Sequence, residues 1–218
     1  MANIFIIGAT GGVGSKLGRL LVRSGHSVIG LHRKPDQVAG LADDGVSPTQ
    51  GDIIEMTPEQ LAQAAQGADV MVFTAGAAGS GLDRTTAIDG DGPAKAIEAA
   101  RLLGITRLYL VSAFPEAGRQ RERSDGFEHY MAEKKRADVA VATSELEWVI
   151  LRPGTLTDAE GQDTVTMGPA ILYGSIARET VARALCALIN QPSVCREIIE
   201  LTDGPTPIDE AVAALRQD

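Results

Sequence analysis

Short apolar runs alternate along this chain with longer segments in which apolar residues recur every three or four positions. The runs are rich in β-branched residues and are typical of buried strands, whereas the longer spacing is typical of helices that pack on one side. Strands are predicted at Ile4–Ile7, Ser27–His32, Ser47–Gln50, Val70–Thr74, Leu108–Val111, Trp148–Leu151 and Ile198–Leu201. Helices are predicted near Ser15–Ser24, Pro58–Gln66, Pro93–Leu103, Phe127–Ser144, Glu179–Asn190 and Pro207–Arg216. This alternation predicts an α/β fold, a doubly wound parallel sheet of about seven strands with helices on both faces.

Two polar stretches have no predicted strand, Ala113–Gly126 and Thr155–Ser175. Each follows the carboxyl end of a predicted strand, which is where open α/β sheets bind ligands. We therefore predict substrate loops near residues 113–126 and 155–175. Because neither a repeat nor a low-complexity linker interrupts the pattern, residues 1–218 are predicted to form a single domain.

Composition and charge narrow the range of partners. The formal net charge of −9 disfavours binding to nucleic acid, because a phosphate backbone would repel this surface. The chain lacks a run of about 18 apolar residues, and Met1 leads directly into the first predicted strand, so we expect a cytoplasmic protein without a membrane partner. Cys186 and Cys195 have no histidine or cysteine at a metal-ligand spacing, so we interpret them as reduced thiols and expect no metal site.

A glycine-rich turn joins the first predicted strand to the first predicted helix. It reads Gly-Ala-Thr-Gly-Gly-Val-Gly and places glycines at positions 8, 11 and 14. Such a turn lets a strand bend sharply into a helix, lets a phosphate approach the backbone, and lets helix and strand pack closely. The helix then presents unpaired N–H groups to a pyrophosphate. The turn predicts dinucleotide binding by Gly8, Thr10, Gly11, Gly12, Val13 and Gly14.

The end of the second predicted strand bears on the choice of dinucleotide. An acid at this place binds the ribose 2′-hydroxyl of NAD, whereas a cation accommodates the 2′-phosphate of NADP. Arg33 lies here and is able to grip a phosphate with two N–H donors. Asp36 is the competing signal, but it follows Pro35 and is expected to lie outside the strand. We therefore expect NADP, with NAD as the less favoured alternative.

The ends of the third and fourth predicted strands add cofactor-binding candidates. Asp52 and Ile53 would place an acid and an apolar side chain beside the adenine. Ala75 and Gly76 are small residues at a place where the backbone must pass near the cofactor ribose.

Three further residues have the chemistry of an acid–base site. Tyr130 and Lys134 are four residues apart, so they share one face of a predicted helix. A neighbouring ammonium favours the phenolate and is expected to lower the pKa of the tyrosine from about 10. Ser112 stands at the end of the fifth predicted strand, where its hydroxyl is able to bind a substrate carbonyl.

Together these motifs resemble the short-chain dehydrogenase/reductase superfamily, and in particular its atypical, compact NAD(P)-binding branch, which is related to NAD-dependent epimerases and dehydratases. The resemblance covers residues 1 to about 203. It rests on Gly8–Gly14, Asp52, Ala75-Gly76, Ser112, Tyr130-x-x-x-Lys134 and Arg152-Pro153-Gly154.

The resemblance implies a Rossmann fold and roles for individual residues. In that family the tyrosine donates the proton, the lysine also holds the nicotinamide ribose, and the serine positions the substrate. Pro153 would lie beside the nicotinamide. Asp89 stands where many relatives carry an asparagine of a proton relay, which is a departure from the family pattern.

Two functions remain open at this point. The first is an NADP-dependent oxidoreductase or epimerase-like enzyme that acts on a small carbonyl or alcohol. The second is an NADP(H)-sensing regulatory protein with little turnover, since several compact relatives act in this way. Either would be a monomer or a homodimer.

Overall fold

A parallel sheet forms the centre of the molecule, and its seven parallel strands are the seven that the apolar runs predict. The computed structural model describes residues 1–119, 122 and 124–215. The strands of this part of the chain are β1 Asn3–Ile7, β2 Ser27–His32, β3 Ser47–Gln50, β4 Val70–Phe73, β5 Arg107–Val111, β6 Glu147–Pro153, β7 Thr155–Thr157, β8 Thr164–Gly168, β9 Ser175–Ala177, β10 Glu197–Asp203 and β11 Thr206–Pro207. The main sheet runs in the order β3-β2-β1-β4-β5-β6-β10-β8-β11. All neighbours from β3 to β10 pair in parallel.

Two further strands extend this sheet, so that nine described strands replace the predicted seven. β8 pairs antiparallel with β10, and β11 pairs antiparallel with β8. β7 and β9 form a separate two-stranded sheet. The prediction that 155–175 lacks strands is therefore wrong. These strands are short and rich in threonine, and β8 is stabilised by pairing with β10, which lies more than thirty residues away in the sequence. A local apolar pattern does not record such pairing.

Helices cover both faces of the sheet. Those of the described residues are α1 Gly14–Arg23, α2 Val38–Asp43, α3 Pro58–Ala64, α4 Leu82–Thr85, α5 Gly92–Leu103, α6 Asp125–Ala142, α7 Arg178–Ile189 and α8 Ile208–Ala213. Alternate residues of β1 point to opposite sides: Ile4 and Ile6 pack with α1, α7 and α8, whereas Phe5 and Ile7 pack with α3, α5 and α6. The doubly wound arrangement follows from this two-sided burial.

Two helical segments were not predicted from the sequence. α2 is short, and only Leu41 of its residues is buried. The segment from α4 continues through a π-helical turn at Thr86–Asp91 into α5. π-helical turns are rare and frequently mark functional sites. This one buries the carboxylate of Asp89 completely.

The strand order changes direction between β1 and β4, which are neighbours in the sheet although they are separated along the chain by β2 and β3. The connections that leave these two strands run to opposite sides and open a crevice at the carboxyl edge of the sheet. The glycine-rich turn follows β1, and Thr74 follows β4, so both lie at this crevice. Among the residues that the structure describes, none of the helices is long and apolar enough to cross a membrane.

Candidate active site

The glycine-rich turn packs directly against the segment that follows β4. Gly8 has a φ of +91°, and a Cβ at this position would lie 2.5 Å from the backbone nitrogen of Ala75. A Cβ at Gly14 would overlap the carbonyl oxygen of Gly8. The Gly11 N–H donates to that same carbonyl at 2.9 Å and closes the turn. Gly8 and Gly14 are therefore required for the backbone path, as the motif predicts.

A deep cleft of about 830 Å³ opens at the carboxyl edge of the sheet. It brings together most of the site residues that the sequence predicts. These are Gly8, Thr10, Gly11, Gly12, Val13, Arg33, Asp52, Ile53, Ala75, Gly76, Ser112, Tyr130 and Lys134. Its volume lies in the range of known ligand sites.

Two predicted residues are absent from the described lining of the cleft. Gly14 acts beneath it, in the packing of α1 against the turn. Pro153 is buried at the end of β6, where it stands in register with Leu201 of β10. At this side of the site the cleft is lined instead by Leu156 of β7. Leu156 is not among the predicted site residues, because the sequence predicts a loop where β7 lies.

Arg33 and Asp52 face one another at one end of the cleft. The Arg33 guanidinium lies 3.9 Å from an Asp52 carboxylate oxygen, and about half of the Arg33 side chain is exposed. The Gln37 side chain accepts hydrogen bonds from the backbone N–H groups of Arg33 and Lys34, and it donates to Thr10 at 3.1 Å. These bonds fix the end of β2 to the glycine-rich turn. Asp36 is exposed in the 3₁₀ turn Pro35–Gln37 and is not among the described residues that line the cleft.

Ser112, Tyr130 and Lys134 meet at the other end. The Lys134 ammonium lies 5.8 Å from the centre of the Tyr130 ring, donates to the carbonyl of Val111 at 3.2 Å and is buried. Its ionic partner is Asp89, whose Oδ1 lies 3.0 Å from Lys134 Nζ. The other Asp89 oxygen accepts a hydrogen bond from the Ala77 N–H at 2.9 Å. Asp89 thus anchors Lys134 from the π-helical turn.

Burial and the neighbouring charges together shift the pKa of Tyr130. Loss of water around the phenol raises its pKa above the ordinary 10, Lys134 opposes this, and Asp89 and Asp138 add to the increase. Lys134 acts in the predicted direction, but the prediction that the Tyr130 pKa lies below that of a free tyrosine is wrong, because the net shift is upward. The spacing of Tyr130 and Lys134 shows the ammonium, but neither the desolvation nor the anions around it. At neutral pH the phenol is protonated.

A second buried carboxylate, Asp138, lies one helical turn beyond Lys134 on α6. Its side chain pairs with Arg152 at 2.8 Å. Burial raises its pKa, while interactions with Ser112 and Arg152 oppose the increase. Ser112 Oγ and Asp138 Oδ1 are buried and have no hydrogen bond of good geometry within the described part of the chain. Asp138 is not among the predicted site residues, although its position extends the four-residue spacing of Tyr130 and Lys134.

Several other side chains complete the cleft. Arg178, the first residue of α7, lies across Gly12, and Arg84 lies on α4. Ser124 and Gly126, at the end of the predicted 113–126 loop, line the cleft beside Tyr130 together with Phe127. Gln120, Arg121 and Arg123 of that loop lie outside the described residues. No cluster of His, Cys, Asp or Glu with metal-binding geometry occurs among the residues described here.

The shape of the cleft fits a dinucleotide. The glycine-rich turn leaves its backbone open at the start of α1, which carries no acid in its first turn and has no side-chain cap. Such a helix start favours a phosphate group. Arg33 and Asp52 lie at one end of the cleft, and the acid–base residues lie at the other.

Comparison with known proteins agrees with this geometry. Residues 8–192 match the family model described as NAD(P)H-binding. The chain is 37% identical over 215 residues to the uncharacterized sugar epimerase YhfK of Bacillus subtilis, covering 98% of this chain and 100% of that protein.

Solved structures give the same relationship. A protein of Bacillus halodurans, named as a candidate NAD-dependent epimerase/dehydratase, superposes with a TM-score of 0.89 at 29% identity and covers 98% of this chain and 100% of that one. The anaerobillin reductase ChuY of Escherichia coli O157:H7 superposes with a TM-score of 0.78 at 26% identity, over 94% of this chain and 100% of that one. The chain therefore belongs to the NAD(P)H-binding family, in the compact, epimerase/dehydratase-like branch of the short-chain dehydrogenases/reductases.

Proposed function

We propose that this protein is an NADP-dependent oxidoreductase that reduces a small carbonyl compound, with Tyr130 as the proton donor. The observation that carries the proposal is the single continuous cleft. It joins the glycine-rich turn and Arg33 at one end to Ser112, Tyr130 and Lys134 at the other. Residues 1–218 would act as one nucleotide-binding domain, with Ser124, Gly126 and Leu156 on the substrate side.

The preference for NADP is supported by the charges at the end of β2. Arg33 is the basic residue at this end of the cleft, whereas Asp36 is exposed away from it. The Arg33 guanidinium is half exposed and only loosely paired with Asp52, so it is free to reorient toward a 2′-phosphate. Titration calorimetry with NADPH and NADH tests this. Arg33→Ala should weaken NADPH binding and leave NADH binding nearly unchanged, and equal losses for both would contradict the assignment.

The chemistry follows from the protonation of the site. A bound nicotinamide would supply the hydride. Tyr130, which is protonated at neutral pH, would donate its proton to the developing alkoxide of the substrate. Ser112 Oγ, which is buried and makes no hydrogen bond of good geometry to the described groups, would donate to the same oxygen and orient the carbonyl. Lys134 would stabilise the phenolate that remains after the transfer.

Protonation also favours reduction over epimerisation. An epimerase that begins by oxidising an alcohol needs Tyr130 as the phenolate at the start, whereas a reductase starts from the phenol, which is the form present at neutral pH. The names of relatives include both activities: YhfK is named as a sugar epimerase and ChuY as an anaerobillin reductase. We therefore place the epimerase-like reaction second.

The proposed reaction is tested by following NADPH oxidation across a panel of carbonyl compounds that includes aldehydes, ketones and conjugated carbonyls. A compound that is turned over by the wild type, and much more slowly by Tyr130→Phe, would support the proposal. A true substrate reduced equally well by Tyr130→Phe would exclude Tyr130 as the proton donor.

A second candidate function is an NADP(H)-sensing regulatory protein. The observation that favours it is the ion pair between Asp89 and Lys134, because the carboxylate neutralises much of the charge that would activate Tyr130. A sensor would bind NADPH without consuming it in the presence of any compound of the panel. Tyr130→Phe would then leave every measured property other than cofactor binding unchanged.

A further inference from the structure

Arg178 lies directly over the glycine-rich turn. It is the first residue of α7 and follows β9 without an intervening loop. A Cβ placed on Gly12 would lie 2.7 Å from Arg178 Cδ and 3.1 Å from its Nε. The space that a side chain at position 12 would fill is therefore occupied by the stem of Arg178, and the guanidinium lines the cleft at this place.

Arg178 differs in its surroundings from the other cations of the cleft. The described basic side chains that line it are Arg33, Arg84, Lys134 and Arg178. Arg33 lies near Asp52, Lys134 is paired with buried Asp89, and Arg84 donates from Nε to Ser80. Of these four, Arg178 is the one in contact with the turn that a pyrophosphate would approach. A guanidinium is suited to this position because its planar fork donates two hydrogen bonds to phosphate oxygens.

The present partner of Arg178 is a weak competitor. Its Nη1 lies 2.8 Å from Asp158 Oδ1, but the Asp158 side chain is 86% exposed. An ion pair with so exposed a carboxylate is strongly screened by water, so it contributes little to stability. A pyrophosphate at the start of α1 would offer more negative charge, together with the favourable field of the helix end.

We infer that Arg178 binds the pyrophosphate of the dinucleotide and that Asp158 competes with the cofactor for it. Arg178 and Asp158 flank the β7–β9 sheet, at the start of α7 and just after β7, so cofactor binding would loosen an ion pair that ties the two ends of this segment together. The inference rests on the dinucleotide binding proposed above. To that proposal the inference adds Arg178 as a side chain that binds the phosphates. It also means that cofactor binding affects the segment that carries Leu156, which lines the cleft.

Calorimetry with NADPH and NADH on four forms of the full chain tests the inference: wild type, Arg178→Gln, Asp158→Asn and the double variant. NADPH and NADH carry the same pyrophosphate, so Arg178→Gln should weaken both by a similar factor of about tenfold or more. Asp158→Asn should strengthen both only modestly, by about twofold, because it removes a weak and exposed competitor. In the Arg178→Gln background, Asp158→Asn should have no effect. Arg33→Ala is the matched control, since it should weaken NADPH binding alone.

Unchanged affinity in Arg178→Gln, or an effect of Asp158→Asn that persists in the double variant, would overturn the inference while leaving the proposed function intact. A wild type that binds neither dinucleotide would overturn both. Equal binding of NADPH and NADH by the wild type would contradict only the preference for NADP. The inference about Arg178 would stand, because the effect of Arg178→Gln on affinity is measured for each dinucleotide separately. Should Arg178→Gln fail to fold, the exposed substitution Asp158→Asn carries the test, and unchanged or weaker binding by it would count against the inference.

Discussion

Asp89 and Lys134 form a buried ion pair, with 3.0 Å between Oδ1 and Nζ. Asp89 is completely buried, and Lys134 nearly so. The pair joins the π-helical turn before α5 to the centre of α6 and fixes the ammonium beneath Tyr130. It also opposes the effect of that ammonium, because Lys134 lowers the pKa of Tyr130 whereas Asp89 raises it. The residue at position 89 therefore adjusts the acidity of the phenol, in addition to the larger effect of burial.

The pKa of Tyr130 is expected to shift in opposite directions when Asp89 or Lys134 is replaced by a neutral residue. Asp89→Asn removes an anion near the phenol and should lower the pKa of Tyr130. Lys134→Met removes the cation and should raise it further. Asparagine retains an oxygen that is able to accept the hydrogen bond from Ala77. The measurement is an alkaline NMR titration of the chain labelled with ¹³C at the tyrosine Cζ.

Tyr130→Phe identifies the Tyr130 signal among those of Tyr109 and Tyr173. The pKa of Tyr109, which burial also raises, serves as an internal reference, since it is shifted by Arg107 rather than by the pair. A Tyr130 pKa that moves in the same direction in both variants would show that repacking, and not charge, controls the phenol.

The hydroxyl of Tyr130 is expected to matter for turnover rather than for folding. Tyr130→Phe keeps the ring, which packs 6.1 Å from that of Phe127. If Tyr130 is the proton donor, turnover of a true substrate should fall by roughly 10²–10⁴ while NADPH affinity is retained. Steady-state kinetics and calorimetry on the same preparations measure both. A loss of cofactor affinity as large as the loss of turnover would point to a binding role instead.

Much of the fold could be predicted from local patterns in the sequence. The central parallel strands β1, β4, β5 and β6 are buried between two layers of helices, so their apolar residues are consecutive and easily recognised. The glycine-rich turn is equally local, because Gly8 and Gly14 are needed by the backbone of the turn itself. By contrast, β8 depends on an antiparallel partner distant in the sequence, and its sequence, Thr-Val-Thr-Met-Gly, resembles a polar loop.

The chemistry of the site was harder to predict because it depends on burial and on neighbours from other elements. The spacing of Tyr130 and Lys134 indicated one helix face, and the structure places both at the cleft. The sign of the pKa shift was predicted wrongly, since desolvation and the charge of Asp89 come from packing of the π-helical turn against α6. Arg178 was missed because it reaches Gly12 only through the contact of α7 with the glycine-rich turn.

Two glycine substitutions should change stability in opposite directions. In Gly14→Ala the new Cβ would overlap Gly8 O and would lie 2.7 Å from Thr74 Oγ1, so we expect a loss of about 1–3 kcal/mol in the free energy of unfolding. Gly40 lies in α2, and a Cβ there meets no atom within 4 Å. Gly40→Ala should therefore stabilise the protein by about 0.5–1 kcal/mol through helix propensity. Urea denaturation measures both changes, and a Gly14→Ala variant as stable as the wild type would contradict the tight packing of the turn.

Asp138 should make stability depend on pH. Burial raises its pKa in the folded state above the value of about 3.9 expected for an unfolded aspartate. Folding therefore favours the protonated carboxyl. The stability that Asp138 contributes is fully present below the unfolded pKa and is lost as the pH rises through the folded pKa. Asp138→Asn removes this dependence, so its stability relative to the wild type should improve as the pH rises from about 4 to 7.

Only the change of this difference with pH is diagnostic, because any contact that asparagine gains or loses gives an offset at every pH. The difference in the free energy of unfolding between Asp138→Asn and the wild type is measured by urea denaturation at several pH values between 4 and 7. Repeating the series in an Arg152→Met background supplies the control: Arg152 lowers the pKa of Asp138, so its removal should raise that pKa and enlarge the change with pH. If Asp138→Asn instead becomes less stable relative to the wild type as the pH rises, then Arg152 and Ser112 outweigh burial. The folded state would in that case favour the Asp138 carboxylate.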